Sequence, residues 1–290
     1  MISVIICSIN KGLAQQVQKN IAATIGVVWE FVVIENTVSP KSLTEVYNVG
    51  ASKAKYDVLL FVHEDVLFQT ENWGEKLLNY FEKDNSLGLI GIAGSKYKSS
   101  VPSGWFSGIE ALDCCNILHV DSNDQKLPMY FNPAPGTRTQ DVVVLDGVLL
   151  CCKKNVWQQV KFDETLLKGF HLYDIDFSFR VAQKFKVIVS FEIDLIHLTE
   201  GGNFGDDWVN NTLLWHSKKQ SSLPFYTKDL SVQKSKFESV FVRNWLIRLK
   251  HEDISFSNKI TWLYKSRTWR YITAWPFVVL FLFKRYFKTK

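Results

Sequence analysis

The first hundred residues alternate between two textures. Short, nearly continuous apolar runs are ISVIIC (2–7), EFVVIE (30–35), YDVLLFV (56–62) and LGLIGIAG (87–94). Between them lie stretches with helical spacing: KGLAQQVQKNIAATI, then SPKSLTEVYNVGASKA beginning after Pro40, then ENWGEKLLNYFEKD. Strands that are apolar throughout, alternating with helices, predict a parallel sheet covered on both faces. The order βαβαβαβ opens a nucleotide-binding type of α/β fold, in which ligands bind beyond the C-terminal ends of the strands. Those ends are Ser8–Asn10, Glu35–Asn36 and His63–Asp65, and all three are polar.

Residues 95–140 change character. GSKYKSSVPSGWFSG and YFNPAPGTRTQ hold many Gly, Ser and Pro residues and read as loops over a binding face. DVVVLDGVLLCC then reads as one strand with Asp146–Gly147 inside it, LYDIDFSFRVAQKF as a helix, and KVIVSFEIDLIHL as one or two strands ending near His197.

Composition narrows the class. The chain has 290 residues with 47% hydrophobic and 14% aromatic content, enough for one large core or one domain with an appendage, and unlike a disordered chain. Five cysteines fall as Cys7 and the neighbouring pairs Cys114–Cys115 and Cys151–Cys152. Without C-x-x-C spacing they suggest neither a disulfide framework nor a zinc site, and reduced thiols in the cytosol are the simple reading. The start, MISVIICSIN, lacks the basic and long apolar regions of a signal peptide. The net charge of +5 hides an asymmetry: residues 226–290 hold 14 Lys/Arg against 4 Asp/Glu, whereas the first 225 hold 20 against 25. An anionic partner is therefore expected for the tail alone.

Three places carry candidate chemistry. In FVHEDVLF, His63, Glu64 and Asp65 read either as a solvated turn or as oxygen and imidazole ligands; hard oxygen donors suit Mg2+ or Mn2+, and imidazole tips the choice to Mn2+. In LYDIDFSFR, Asp174 and Asp176 point about 200° apart on a helix. Asp176 has Arg180 four residues on as an ion-pair partner, which leaves Asp174 free to face a cleft as a general base. His197, in DLIHLTEGG, reads either as a structural histidine or as a ligand, with Gly201–Gly202 and the following NFGDDW as a loop able to close over a site.

Taken in order, these pieces resemble family 2 glycosyltransferases with the GT-A fold, near the branch of streptomycin-biosynthesis StrF-like glycosyltransferase domains. The matching segments are ISVIICSIN, FVVIEN, YNVGASKAKYDVLLFVHEDV, LDGVLLCCKKNVW, FDETLLKGFHLYDIDFSFR and IHLTEGG, followed by Trp215 to Pro224. The resemblance implies a GT-A domain over residues 1–225, with a mostly parallel, Rossmann-like sheet flanked by helices and a basic helical extension over 226–290. It implies that Asp65, with His197 and His63, binds Mn2+ or Mg2+ at a nucleotide-diphosphate sugar. Asp174 is implied as the base that deprotonates the acceptor hydroxyl. Glu35 matches the acid at the nucleotide base, and Asp146–Gly147 match the segment lining the sugar. Ser8, Asn10, Asn48 and Glu64 are expected on the donor side. The chain differs from the family pattern in three places: His63 stands for the first Asp of D-x-D, Tyr47 for an Arg, and Tyr173 for a Glu. A non-catalytic nucleotide- or sugar-binding module with the same fold is the alternative reading. A nucleotidyltransferase would want a Gly- and Lys/Arg-rich loop after the first strand, where CSINKGLAQQ has one of each.

In the tail, YITAWPFVVLFLF (271–283) is shorter than the about 20 residues a membrane span needs, and Pro276 interrupts it. Its basic flanks and its Trp and Tyr residues predict a helix lying on an anionic membrane surface, with a core or oligomer-packing helix, or a true span, as alternatives. The apolar run argues against nucleic acid. The resulting expectation is an enzyme on the cytoplasmic face of the cell membrane. It would transfer a sugar to a cell-surface glycan or its lipid-linked precursor, and it leaves room for an oligomer.

Overall fold

A computed structural model describes residues 1–199, 204–231 and 234–286. Gly201–Gly202 of the expected closing loop, and Lys288 and Lys290 of the tail, lie outside the described residues.

The first half runs β1 (Ile2–Ser8), α1 (Lys11–Thr24), β2 (Trp29–Glu35), α2 (Leu43–Lys53), β3 (Val58–Val62), β4 (Val66–Phe68), α3 (Trp73–Lys83) and β5 (Leu87–Gly91). It continues through β6 (Ala93–Ser95), β7 (Tyr97–Lys98), β8 (Asp113–Val120), β9 (Lys126–Phe131), β10 (Thr139–Asp141), β11 (Val144–Leu145) and β12 (Leu149–Lys153). Then come α4 (Lys154–Val160), α5 (Tyr173–Ala182), β13 (Lys186–Ser190), β14 (Leu195–Leu198), α6 (Asp206–Lys219) and β15 (Phe225–Tyr226). Three helices close the chain: α7 (Lys234–His251), α8 (Phe256–Lys265) and α9 (Trp275–Tyr286).

The main sheet has seven strands in the order β10-β13-β5-β12-β3-β1-β2. β1, β2 and β3 are parallel to one another, and β5 and β13 pair in parallel, while β12 inserts antiparallel between β3 and β5. Side-chain alternation then divides the core. Val58, Leu60 and Val62 of β3 face α1 and α3, while Leu59 and Phe61 face α2, α4 and α5. The adjacent cysteines obey the same rule: Cys151 and Cys152 enter opposite layers, and all five cysteines are free.

Two of the expected strands, LGLIGIAG and DVVVLDGVLLCC, are each two, and the expected strand YDVLLFV is followed after a turn by a further short strand. β3 passes into β4 at His63–Asp65, β5 into β6 at Ile92, and β11 into β12 at Asp146–Val148. In each case one half lies in the main sheet and the other in a second sheet, ordered β11-β6-β8-β14-β4 with β9 on β8. DVVVLDGVLLCC is therefore broken at Asp146–Gly147, not continuous. Asp146 N donates across the seam to Ala93 O at 2.9 Å, and His63 N to Val148 O at 3.3 Å. The region 95–140 also carries more structure than its composition suggests, because β8 and β9 form a hairpin there.

The charge boundary near residue 225 does not separate two cores. Phe241, Val242, Trp245, Leu246 and Leu249, on one face of α7, share a buried cluster with Phe179 of α5 and Trp208 and Trp215 of α6, joined by Trp262 of α8. Glu238, 1% exposed, pins α7 down by accepting hydrogen bonds from Tyr97, Ser99, Ser100 and Tyr271. Among the described residues no helix is long and apolar enough to cross a membrane.

Candidate active site

The turn after β3 sorts its three polar residues by direction. Glu64 turns inward: its Oε1 accepts from Ile9 N and Asn10 N, both at 3.0 Å, and so holds the loop between β1 and α1. His63 and Asp65, one residue either side, turn the other way. β14 runs antiparallel to β4, with His197 opposite Val66 and Leu198 N donating to Asp65 O at 2.7 Å. That register brings His197 Nε2 to 3.3 Å from Asp65 Oδ1, and His63 Nδ1 lies 3.9 Å from the same oxygen. One donor atom from each of His63, Asp65 and His197 falls within 4.8 Å of the others. Burial acts to raise the Asp65 carboxyl, but the flanking imidazoles outweigh it and hold the group below its ordinary value. Burial, and then the neighbouring His197, keep the His63 imidazole below its ordinary value.

His119 was not singled out by sequence, since nothing in NILHV marks it. β8 pairs in parallel with β14 and sets His119 beside His197, with ring centroids 5.3 Å apart. Nδ1 of both rings is buried without a hydrogen-bond partner.

A second group joins this one through Tyr173. Leu172 has φ 66°, a left-handed conformation costly for a branched residue. It turns the chain into α5 so that Tyr173 and Asp174 open the helix. Tyr173 Oη lies 2.9 Å from His63 Nε2, and Asp174 Oδ2 accepts from Gly147 N at 3.0 Å. Asp146 is held by Trp105 Nε1 at 2.5 Å and by Val148 N at 2.9 Å. Burial first, and then the charge of Asp146, push the Asp174 carboxyl well up from the ordinary carboxylate range. Asp176, by contrast, is 1% exposed and tied to Arg180 Nε at 2.6 Å, the ion pair expected from the sequence, and to Trp215 Nε1 at 2.9 Å.

His63, Gly147, Tyr173 and Asp174 line a cleft of about 690 Å³. Its lining also takes in Phe204 and Trp208, from the NFGDDW segment expected to close over the site, and Trp245 and Arg248 of α7, which the sequence had placed in the separate tail. Trp208 of α6 and Trp245 of α7 stack with centroids 4.5 Å apart, and the Arg248 guanidinium lies 3.5 Å from the centre of the Phe204 ring.

The remaining sequence candidates divide. Ser8 and Glu35 are register partners at the ends of β1 and β2, and Glu35 lies exposed 3.4 Å from Lys11. Asn10 caps α1, accepting from Gly12 N at 2.9 Å, and connects to the His63 turn through Glu64. Asn48 is not brought to this cleft. Its amide donates to Phe162 O and Glu164, and accepts from Trp157 Nε1 and Phe162 N, so its hydrogen-bonding capacity is spent tying α2 to α4. Tyr47 is 1% exposed and packs on Phe61 and Tyr173.

A family model described as "Glycosyltransferase like family" matches residues 3–224. The chain belongs to this glycosyltransferase-like family. It is 27% identical over 184 residues to the streptomycin biosynthesis protein StrF of Streptomyces griseus, a match spanning 61% of this chain and 60% of that protein's length. Solved structures of like fold include GalNAc-T7 with UDP, GalNAc and Mn2+, at TM-score 0.52 and 13% identity, covering 92% of this chain and 58% of that one. TarS of S. aureus gives TM-score 0.51 at 10% identity, covering 83% and 69%. The mannosyltransferase PcManGT from Pyrobaculum calidifontis, in complex with GDP-Man and Mn2+, gives 0.51 at 9%, covering 100% and 88%. These likenesses give the family member a GT-A fold.

In this glycosyltransferase-like chain, the donor set of His63, Asp65 and His197 fits a divalent cation. Two imidazoles and a carboxylate held in its ionised form converge within coordination reach of one point, and that mixture suits Mn2+.

Proposed function

We propose that the chain is a metal-dependent glycosyltransferase that moves a sugar from a nucleotide-diphosphate sugar to a hydroxyl of a glycan or lipid-linked glycan. The observation that carries this reading is the joining of two groups: the His63–Asp65–His197 cluster, which reaches the cleft through His63, and the Asp174 carboxylate in that cleft, connected by the hydrogen bond between His63 and Tyr173. The Mn2+ and nucleotide or nucleotide-sugar in the complexes of GalNAc-T7 and PcManGT support it.

His63, Asp65 and His197 would hold Mn2+ or Mg2+, whose charge stabilises the departing diphosphate. Ser8, Asn10 and Glu35, at the strand ends beside them, face the nucleotide side. Asp174 accepts the proton of the acceptor hydroxyl as its oxygen bonds to the anomeric carbon. The electron pair of the broken sugar–phosphate bond leaves with the nucleoside diphosphate. In this reading the acceptor oxygen displaces the nucleoside diphosphate directly, with Asp174 as the base and no covalent sugar–enzyme intermediate, a single displacement that inverts the anomeric centre. Gly147 N–H holds the Asp174 carboxylate, and the aromatic side chains of α6 and α7 face the acceptor.

The acceptor belongs at the cytoplasmic face of a membrane, where the +10 balance of residues 226–290 meets anionic lipid. Val279, Leu280 and Leu282 of α9 are exposed there. Because α7 and α8 share the core, deleting the tail is the wrong test; changing those three residues to Ser leaves the core intact and should release the protein from anionic vesicles.

The activity is tested with a panel of nucleotide-diphosphate sugars, with and without Mn2+, on wild type and Asp174→Asn. Wild type should transfer or hydrolyse one donor only with the cation. Asp174→Asn should bind that donor and not turn it over. Donor binding by wild type with no turnover on any acceptor or water would favour the non-catalytic module instead.

A further inference from the structure

A second cavity, of about 650 Å³, opens between the end of α6 and the turn that follows α8. Its lining carries Lys265, Arg267 and Arg270, with Tyr264 and Trp269 beside them, and holds no carboxylate. Among the described residues none of the three cations makes an ion pair. Arg267 is nonetheless held in place. It sits at φ 53°, left-handed for a non-glycine residue, and it faces the side-chain amide of Gln220; with that amide oriented oxygen-inward, the oxygen accepts from the guanidinium at 2.7 and 2.9 Å. A neutral partner orients the fork without cancelling its charge, which leaves a preorganised site for an oxyanion.

The surroundings indicate the source of that anion. The turn bearing Arg267 and Arg270 leads directly into α9, and Trp275 Nε1 donates to Trp269 O at 3.3 Å. α9 presents Val279 and Leu280, each more than half exposed, and Ile272 just before it is 78% exposed. Cationic donors and exposed rings lining one cavity, followed in the chain by exposed aliphatic residues, supply the chemistries that a lipid presents at an interface: phosphate, glycerol and acyl chain.

We propose that this cavity binds the phosphate of an anionic lipid headgroup and so fixes the enzyme's orientation on the membrane, not merely its attachment. The inference rests on the membrane reading above only for the source of the phosphate.

The test uses full-length protein titrated with short-chain phosphatidylglycerol below its micelle concentration, with inorganic phosphate in parallel. It is paired with sedimentation on phosphatidylcholine vesicles with and without phosphatidylglycerol. Lys265→Gln/Arg270→Gln changes two exposed side chains and should fold as wild type; Arg267→Gln is the second variant. The expected result is headgroup binding by wild type that exceeds phosphate binding and falls about tenfold or more in both variants, with transfer to a water-soluble acceptor unchanged. Equal binding by the variants, or no headgroup binding by wild type, overturns the site. Phosphate binding as strong as the lipid's overturns the lipid source, and so does displacement of the lipid by single-stranded RNA. Wild type that pellets with anionic vesicles but binds no headgroup defeats this inference while leaving the membrane reading standing. Wild type that does neither defeats both.

Discussion

Adding a single methyl group at Gly147 should break the link between the His63–Asp65–His197 cluster and Asp174. A Cβ at this position would lie 2.0 Å from Tyr173 Oη, 2.5 Å from its Cζ and 3.1 Å from Asp174 Cβ. Reaching even a 3.0 Å contact requires the hydroxyl to recede by about 1 Å, and Tyr173 has no room to do so freely, because it is 5% exposed and wedged against Tyr47 and Phe162. The Tyr173–His63 hydrogen bond is 2.9 Å long, so a movement of that size either stretches it past the useful limit of about 3.5 Å or drives the two groups together. Overpacking of this kind costs about 1–3 kcal/mol. Gly147→Ala should therefore lower the unfolding temperature by several degrees, read by scanning calorimetry, and lower both Mn2+ affinity and transfer. Tyr173→Phe removes only the hydroxyl, so it should lose the His63 contact with a smaller loss of stability. A Gly147→Ala protein that keeps wild-type melting, cation affinity and transfer would refute the steric argument and the coupling it implies.

The Asp174 carboxyl is raised in the folded chain, so its contribution to stability is complete below its ordinary value of 3.8 and is lost as pH rises toward about 7. Asp174→Asn, neutral throughout, should gain up to a few kcal/mol relative to wild type between those limits; parallel urea midpoints at pH 5 and pH 8 would contradict this. Glu64→Gln puts an amide NH2 against backbone donors that now share a carboxylate, so it should cost about 1–3 kcal/mol and raise the donor KM through the loosened loop after β1. Unchanged thermal unfolding would count against that role. Glu238→Ala strands the hydroxyls of Tyr97, Ser99 and Ser100 and should cost about 3 kcal/mol or more. Because α7 walls the cleft, the acceptor KM should rise too; a change in stability alone would show that the α7 wall does not contact the acceptor.

The alternation of apolar runs and helical spacing was enough to determine β1, β2, β3 and β5 with the helices between them, because strand and helix periods are local and each run carries its own; the three-residue β4 was too short to show. The polar strand ends were legible for the same reason: Ser8, Glu35 and the His63 turn stand out against the apolar residues before them. The ion pair of Asp176 with Arg180 followed from helical spacing alone. The division of LGLIGIAG and DVVVLDGVLLCC between two sheets was not legible, because an apolar run reads the same whether it stays in one sheet or changes sheet at its middle. His119 likewise reaches His197 only through the register of β8 on β14, a contact across 78 residues. Asn48 and Glu64 show the converse limit. Sequence gives a polar side chain but not its direction, and tertiary contacts turned Asn48 of α2 to Trp157 of α4 and Glu64 to the backbone after β1. The charge of the tail was read correctly as a property of residues 226–290, yet charge marks only the solvent face. The buried face of α7, with Trp245 and Arg248 at the cleft, was decided by packing against α5 and α6, since burying that apolar stripe there removes it from water more completely than a separate tail could.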